Sequence, residues 1–533
     1  MQLRLSKSFP RFFAFIFFAL FTVLQASNVT AQSTGFANTL AAAASEDKTL
    51  SAFYKAANYV PLWVGPGRAK ERQKELFSAL GQASDHGLPV AAYKLESLKS
   101  QARNARSDQE LAQLEIAMSQ SFLAYARDVQ SGVLRPSAVN SEIDRRAPLR
   151  DPVRSLVAFA KSSPSGFFKS LPPNSVYYNA LKAEKSRLEQ LAARNAWGAQ
   201  IAASKLEPGQ SSASIAGLKA RLSAMGYKAG KGPVYDAALQ SAVAAFQRNH
   251  GLSPDGVAGK GTIREINKQP ADRLASVIVA MERSRWMNFP LGRRHVWVNL
   301  PDFTAKIVDN GSVVFESRSV IGKASKDHRS PEFSDVMEYM VINPTWNVPY
   351  SIAVKEYLPM LQSNPHAVSH LQLLDGSGQK VSRTAVDFSS YSEGNFPYHL
   401  KEPPSQGNAL GLVKFIFPNN HNIYLHDTPS KSLFNRESRA FSHGCIRLGD
   451  PLDFAYTLLG PQTKDPKAYF QARQSTGVET TTHLQRPIQV HLVYFTAYPS
   501  DKGMQYRRDI YGRDAQIFRA LQAQGVALRI GRG

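Results

Sequence analysis

A multidomain α+β chain is the fold class that the sequence predicts, and three observations predict it. Apolar residues recur at steps of three and four through the first 200 or so of its 533 residues, which lines one face of each helix. A compact stretch at 213–268 carries two short helical patterns of its own. From Val296 onward the period changes to alternation, Val296, Val298 and Leu300 being interleaved with Trp297 and Asn299, as in half-buried strands.

Residues 1–31 read as a signal peptide outside the fold. Arg4, Lys7 and Arg11 make a positive start, and the apolar run from Phe12 to Leu24 is shorter than the roughly 20 residues of a spanning helix. Val29-Thr30-Ala31 then offers small residues for cleavage; an uncleaved leader would instead be a membrane anchor.

A helical scaffold is expected over 41–203. Ser107 and Glu110 form a capping box, and Leu111, Leu114, Met118, Phe122, Tyr125 and Val129 give the helix that follows an apolar face. Residues 203–212 read as a linker. In the module at 213–268, Leu218, Leu222 and Met225 line a helix ending at Gly226, and Leu239, Val243 and Phe246 line a second. A connecting amphipathic helix spans 271–286. The β-rich domain runs over 294–498, with a hairpin at Asn310-Gly311, whose residues accept the positive φ angles of a type I′ turn. Within it, 352–402 reads as a loop-rich insertion, and 499–533 as a basic tail.

Composition narrows the chemistry. The net charge is +22, three of these charges lying in the leader, so the surface attracts polyanions. No aromatic-interleaved basic cluster of the kind used on single strands is present, which argues against nucleic acid and for an anionic wall or membrane face as a peripheral partner. A single cysteine, Cys445, forbids an internal disulfide. It stands in Ser442-His443-Gly444-Cys445-Ile446-Arg447, with His426 upstream in Tyr424-Leu425-His426-Asp427. A thiol is mostly protonated at neutral pH, so a nucleophilic cysteine needs a base beside it, and two histidines are available. Gly444 admits a close approach of backbone to a reacting carbonyl, where its N–H and that of Cys445 would hold an oxyanion.

The spacing of His426 to Ser442-His443-Gly444-Cys445 resembles the signature of L,D-transpeptidases with a YkuD-type catalytic domain. Val296-Trp297-Val298-Asn299-Leu300-Pro301, Asn343-Pro344-Thr345-Trp346-Asn347, Asn408-Ala409-Leu410-Gly411 and Asp427-Thr428-Pro429 agree with it. Tyr235-Asp236, Phe246-Gln247, His250-Gly251-Leu252 and Asp255-Gly256-Val257 look like a peptidoglycan-binding repeat, a three-helix module. The layout is similar to the large YcbB-like subgroup of Gram-negative bacteria, which places the chain in the periplasm.

The resemblance implies a cysteine acyl transferase, without cofactor or metal, that forms 3→3 cross-links in peptidoglycan. Cys445 would be the nucleophile and His426 the general base, oriented by the backbone carbonyl of Asp427. His443 and Gly444 would shape the oxyanion hole. Tyr424, Ser442, Arg447, Trp346 and Asn347 would contact substrate. Stem peptides would be donor and acceptor, glycan strands or the sacculus would be held by 213–268, and the insertion would be a lid. Pro403-Pro404-Ser405-Gln406-Gly407 departs from the basic residue and Pro-Gly pair expected before Asn408. The same site would suit carboxypeptidase action, D-amino-acid exchange or lipoprotein attachment, and a non-catalytic wall-binding scaffold is the contrasting class.

Overall fold

The computed structural model describes residues 34–528; the leader expected at 1–31 lies outside them. Among the described residues no helix is long and apolar enough to cross a membrane.

Helices fill the chain from Thr34 to Ala193. The longest, Asp108–Ser131, starts on the expected capping box, with Ser107 accepting from the Glu110 N–H and the Glu110 carboxylate accepting in return. Its apolar face, Leu114, Met118, Phe122, Tyr125 and Val129, is buried in one core with Trp63 and Phe159.

The module has three helices, Ala213–Ala224, Ala237–Asn249 and Lys260–Ile266, around Leu218, Leu222, Val243 and Phe246. The segment before it is not a free linker. Leu206 is buried in the module core and bridges Ala258, and Ser211 bridges Val234. The composition of 203–212 suits a turn, but the one apolar side chain in its middle finds the module's surface.

The C-terminal half is built on a nine-stranded sheet. Its strands are β1 (Arg294–Asn299), β2 (Thr304–Asp309), β3 (Ser312–Gly322), β4 (Phe333–Ile342), β8 (Val413–Ile416), β9 (Leu425–His426), β10 (Ala440–Ser442), β11 (Ile446–Leu448) and β12 (Thr480–Val493). The order is β10-β3-β11-β9-β8-β4-β12-β1-β2, and a further β2–β3 pairing closes the sheet on itself. That pairing is the expected hairpin, Asn310 and Gly311 taking φ of 50° and 79°. Val296, Val298, Ile307, Phe415, Leu425 and Ile446 fill the interior. The register of β12 on β4 shifts between His483 and Ile488, around Pro487, which has no N–H to give the ladder.

Two expectations are corrected. The insertion is loop-rich over 375–398 but more ordered than expected elsewhere: β5 (Trp346–Asn347), β6 (Gln372–Leu374) and β7 (His399–Glu402) form a separate three-stranded sheet. Leu358, Leu361, Leu373, Phe388, Phe396 and Leu400 make a core of their own beside it, so the unit begins at Trp346 rather than Ile352. Its apolar residues pack on one another, and the Gly and Ser stretches are only its turns. Nor are the described residues 499–528 a tail. There β13 (Ala497–Ser500) pairs with β14 (Gly503–Tyr506), and the helix Arg513–Ala523 buries Ile517 and Leu521. Some of its basic residues are structural, Arg507 pairing with Asp302 and Arg513 with Glu142 and Glu332.

The connecting helix, Pro270–Trp286, runs through the middle of the molecule. Arg283 on it pairs with Glu332, which precedes β4, and with Asp514 at 3.0 Å on the C-terminal helix. Arg145, from the N-terminal region, donates to the carbonyls of Phe333 and Leu492 on β4 and β12. Glu332 is 1% exposed. Removing one partner of such a buried set strands the others without water. Glu332→Ala is therefore expected to destabilise the C-terminal half by about 3–5 kcal/mol, with Glu332→Gln milder; urea unfolding followed by fluorescence of Trp297 and Trp286 measures both.

Candidate active site

In the parallel pair β9–β11, Leu425 faces Ile446 and His426 faces Arg447. Side chains alternate along strands, so Leu425 and Ile446 enter the interior while Tyr424, His426, Cys445 and Arg447 share the opposite face. The structure thus gathers four of the predicted residues on one patch.

His426 is 4% exposed. Its Nδ1 is hydrogen-bonded to the carbonyl of Asp427, as the resemblance implies, and Nε2 has no partner among the described residues. The Asp427 carboxylate holds that carbonyl in place, accepting from Leu412 N–H at 2.9 Å, Thr428 N–H at 2.6 Å and Lys431 Nζ at 2.6 Å. Gly411 makes room for it: a Cβ there would lie 2.3 Å from the Asp427 carboxyl carbon. Burial, with Arg447 next, pushes the imidazole down to about 3, so His426 is neutral and able to take a proton.

Burial acts in the other sense on the Cys445 thiol, pushing it up to about 11, against the N–H and phenol of Tyr424 and the charge of Arg447, which favour the thiolate. The thiol donates to the carbonyl of Asn422 at 3.6 Å. Cysteine and histidine therefore both rest neutral. The Arg447 guanidinium is mostly desolvated and its Nε has no hydrogen-bond partner. A half-buried guanidinium without a hydrogen-bond partner among the described residues is suited to an incoming carboxylate.

The turn before Cys445 differs from expectation in its donors. The Gly444 N–H is spent on Ser442 Oγ at 3.1 Å, and that hydroxyl donates to the Cys445 carbonyl at 2.6 Å. Ser442 is 1% exposed and belongs to the inside of the turn rather than to a substrate surface. The N–H groups of His443 and Cys445 carry no hydrogen bond among the described residues and are the donors left for an oxyanion. Gly444 is required by shape: its φ is +120°, and a Cβ would sit 3.1 Å from Ile423 Cδ1.

His443 turns its ring to Glu356 of the insertion, with Lys323 Nζ at 3.5 Å. Trp346 and Asn347 lie on β5 at the root of the insertion, Trp346 half-buried against Tyr357 and Asn347 exposed. Neither is among the four residues of the cysteine patch. Asn422, Ser330 and Glu356 escaped the sequence reading. Ser330 Oγ donates to the Gly444 carbonyl at 2.6 Å. Nothing local marks it, whereas an Asn at φ 54° just before β9 has a turn signal in Asn419-Asn420-His421-Asn422.

Residues 293–478 match the family described as "L,D-transpeptidase catalytic domain", YkuD. The chain carries a YkuD L,D-transpeptidase domain. Residues 211–266 match "Putative peptidoglycan binding domain" and 48–184 match "Scaffold domain". A Haemophilus influenzae protein described as "Putative L,D-transpeptidase" is 31% identical over 245 residues, 45% of this chain and 48% of its own length. The chain thus spans about half the length of that curated relative. The crystal structure of an L,D-transpeptidase from Xylanimonas cellulosilytica is 15% identical with a TM-score of 0.17, covering 55% of this chain and 98% of that one. In the YkuD domain, Cys445 and His426 lie within the matched residues.

Two measurements check the electrostatics. Arg447→Gln removes a charge that favours the thiolate, so iodoacetamide is expected to alkylate Cys445 several-fold more slowly at pH 8, and an unchanged rate would contradict it. His426 is held below its ordinary 6.5, so the unfolded chain takes up a proton there, as pH falls from 6.5 toward 3, that the folded protein refuses. Stability falls over that window. His426→Gln is expected to lose less melting temperature than wild type between pH 7 and pH 4.5.

Proposed function

We propose that the chain forms 3→3 cross-links in peptidoglycan through a thioester on Cys445. The reading rests above all on Cys445 and His426 sharing one face of β9–β11, with the imidazole held by Asp427 so that Nε2 is the free base. A stem-peptide carboxylate settling on Arg447 would neutralise one of the charges that hold His426 unprotonated. The thiol proton passes to His426 Nε2 as sulfur bonds to the carbonyl carbon of the third residue. The oxyanion is met by the N–H groups of His443 and Cys445, with Tyr424 alongside. Its collapse breaks the bond to the terminal D-alanine, whose amine takes the proton from His426. The side-chain amine of a second stem peptide then attacks the thioester, giving its proton to His426, and the thiol is restored.

The wall is the partner that the module at 211–266 supports. A 510 Å³ groove between it and the closed sheet, lined by Arg248, Arg318, Arg436, Arg439 and Arg508, suits anionic parts of the sacculus. Export to the periplasm through the leader follows from such a substrate. The order of scaffold, module and inserted catalytic domain supports the YcbB-like subgroup.

Mass spectrometry of muropeptides after incubation with tetrapeptide monomers and dimers tests the reaction. A 3→3 dimer with loss of D-alanine is expected; tripeptide alone would indicate hydrolysis, and a transferred D-amino acid or lipoprotein lysine an exchange reaction. Cys445→Ser should abolish all products, and His426→Ala should slow acylation by roughly 100-fold or more.

A further inference from the structure

One cluster outside the acyl-transfer chemistry joins three separate elements. His328 lies between β3 and β4, Glu356 on the insertion, and His443 on the turn before Cys445. One ring nitrogen of each histidine and a carboxylate oxygen of Glu356 all lie within 4.8 Å of one another. The rings of His328 and His443 stand 4.6 Å apart, edge to face. His328 Nδ1 is hydrogen-bonded to Ser325 Oγ at 2.9 Å, and its Nε2 has no partner among the described residues. Glu356 sits in a π-helical turn, Ala353–Tyr357, a distortion that often aims a side chain at a functional site.

We propose that His328, Glu356 and His443 form a binding site for a divalent transition-metal ion of the zinc class, which fastens the insertion over the turn that carries Cys445. Two imidazoles and one carboxylate are a donor set for zinc, and about 2.0–2.2 Å from each ligand to a central ion requires ligand atoms about 3.4 Å apart. Rotation of half-exposed side chains from a 4.8 Å span reaches that. The ion would take the place of the hydrogen bond between His443 and Glu356. Lys323 is the opposing charge and must swing toward solvent; Lys355 is already turned to Asp327 at 4.0 Å. The site does not depend on acyl transfer, and its test does not use it.

The test uses tagless protein carrying Cys445→Ser, so that no thiol competes, and titrates ZnCl2 by calorimetry. One ion per chain is expected, bound at least tenfold more weakly by His328→Ala and by Glu356→Gln. Zinc should also slow hydrogen exchange in 350–363 in the parent and not in Glu356→Gln. In protein that keeps Cys445, zinc should slow alkylation of the thiol, and both substitutions should remove that slowing. Absence of stoichiometric binding, or affinity unchanged by either substitution, overturns the site. Slowing of alkylation that survives both substitutions places the ion on the thiol and likewise overturns it.

Discussion

The buried charges around Arg283 are the constraint on which the remaining architecture depends. Arg283 and Arg513 face Glu332, Asp514 and Glu142, and these five residues come from the N-terminal region, the connecting helix, the loop before β4 and the C-terminal helix. Each charge is tolerable in the interior only because the others are present. The arrangement cannot be satisfied by any one unit alone. It therefore fixes where the helical region and the closed sheet stand relative to each other. The same residues reach the active site. Arg513 donates to the Ser330 carbonyl at 2.8 Å, and Ser330 holds the Gly444 carbonyl.

How the cysteine is kept follows from the same economy of burial. A thiol pushed up and an imidazole pushed down make a resting pair that is uncharged and poorly reactive toward adventitious electrophiles. Among the described residues, Arg447 is a charge that favours sulfur ionisation while also opposing imidazole protonation. The site is thus balanced to respond to whatever neutralises that guanidinium. In an oxidising compartment, a lone cysteine is better protected as a thiol than as a standing thiolate.

Much of this was legible in the sequence because it rests on local rules. The capping box at Ser107, the turn at Asn310-Gly311, the helix ending before Gly226 and the alternation at Val296 each follow from neighbouring residues. The motif that carries His426 and Cys445 was legible through its spacing, and His426 Nδ1 is hydrogen-bonded to the Asp427 carbonyl. What was missed is long-range. Leu206 and Arg513 look like linker and tail residues until a distant surface is known to receive them. Ser442 and Gly444 were assigned to the substrate side. A hydroxyl that can close its own turn does so, and that geometry is not written in residue type.

The hydrogen bond from Arg513 has a meaning in time as well as in space. The carbonyl it holds belongs to Ser330, which in turn steadies Gly444, so the turn that presents Cys445 is completed by a residue synthesised almost seventy positions after it. A chain emerging from N- to C-terminus has its cysteine long before it has the arginine that sets its neighbour's backbone. The turn before Cys445 is complete only once the C-terminal helix is in place, although the cysteine is made earlier.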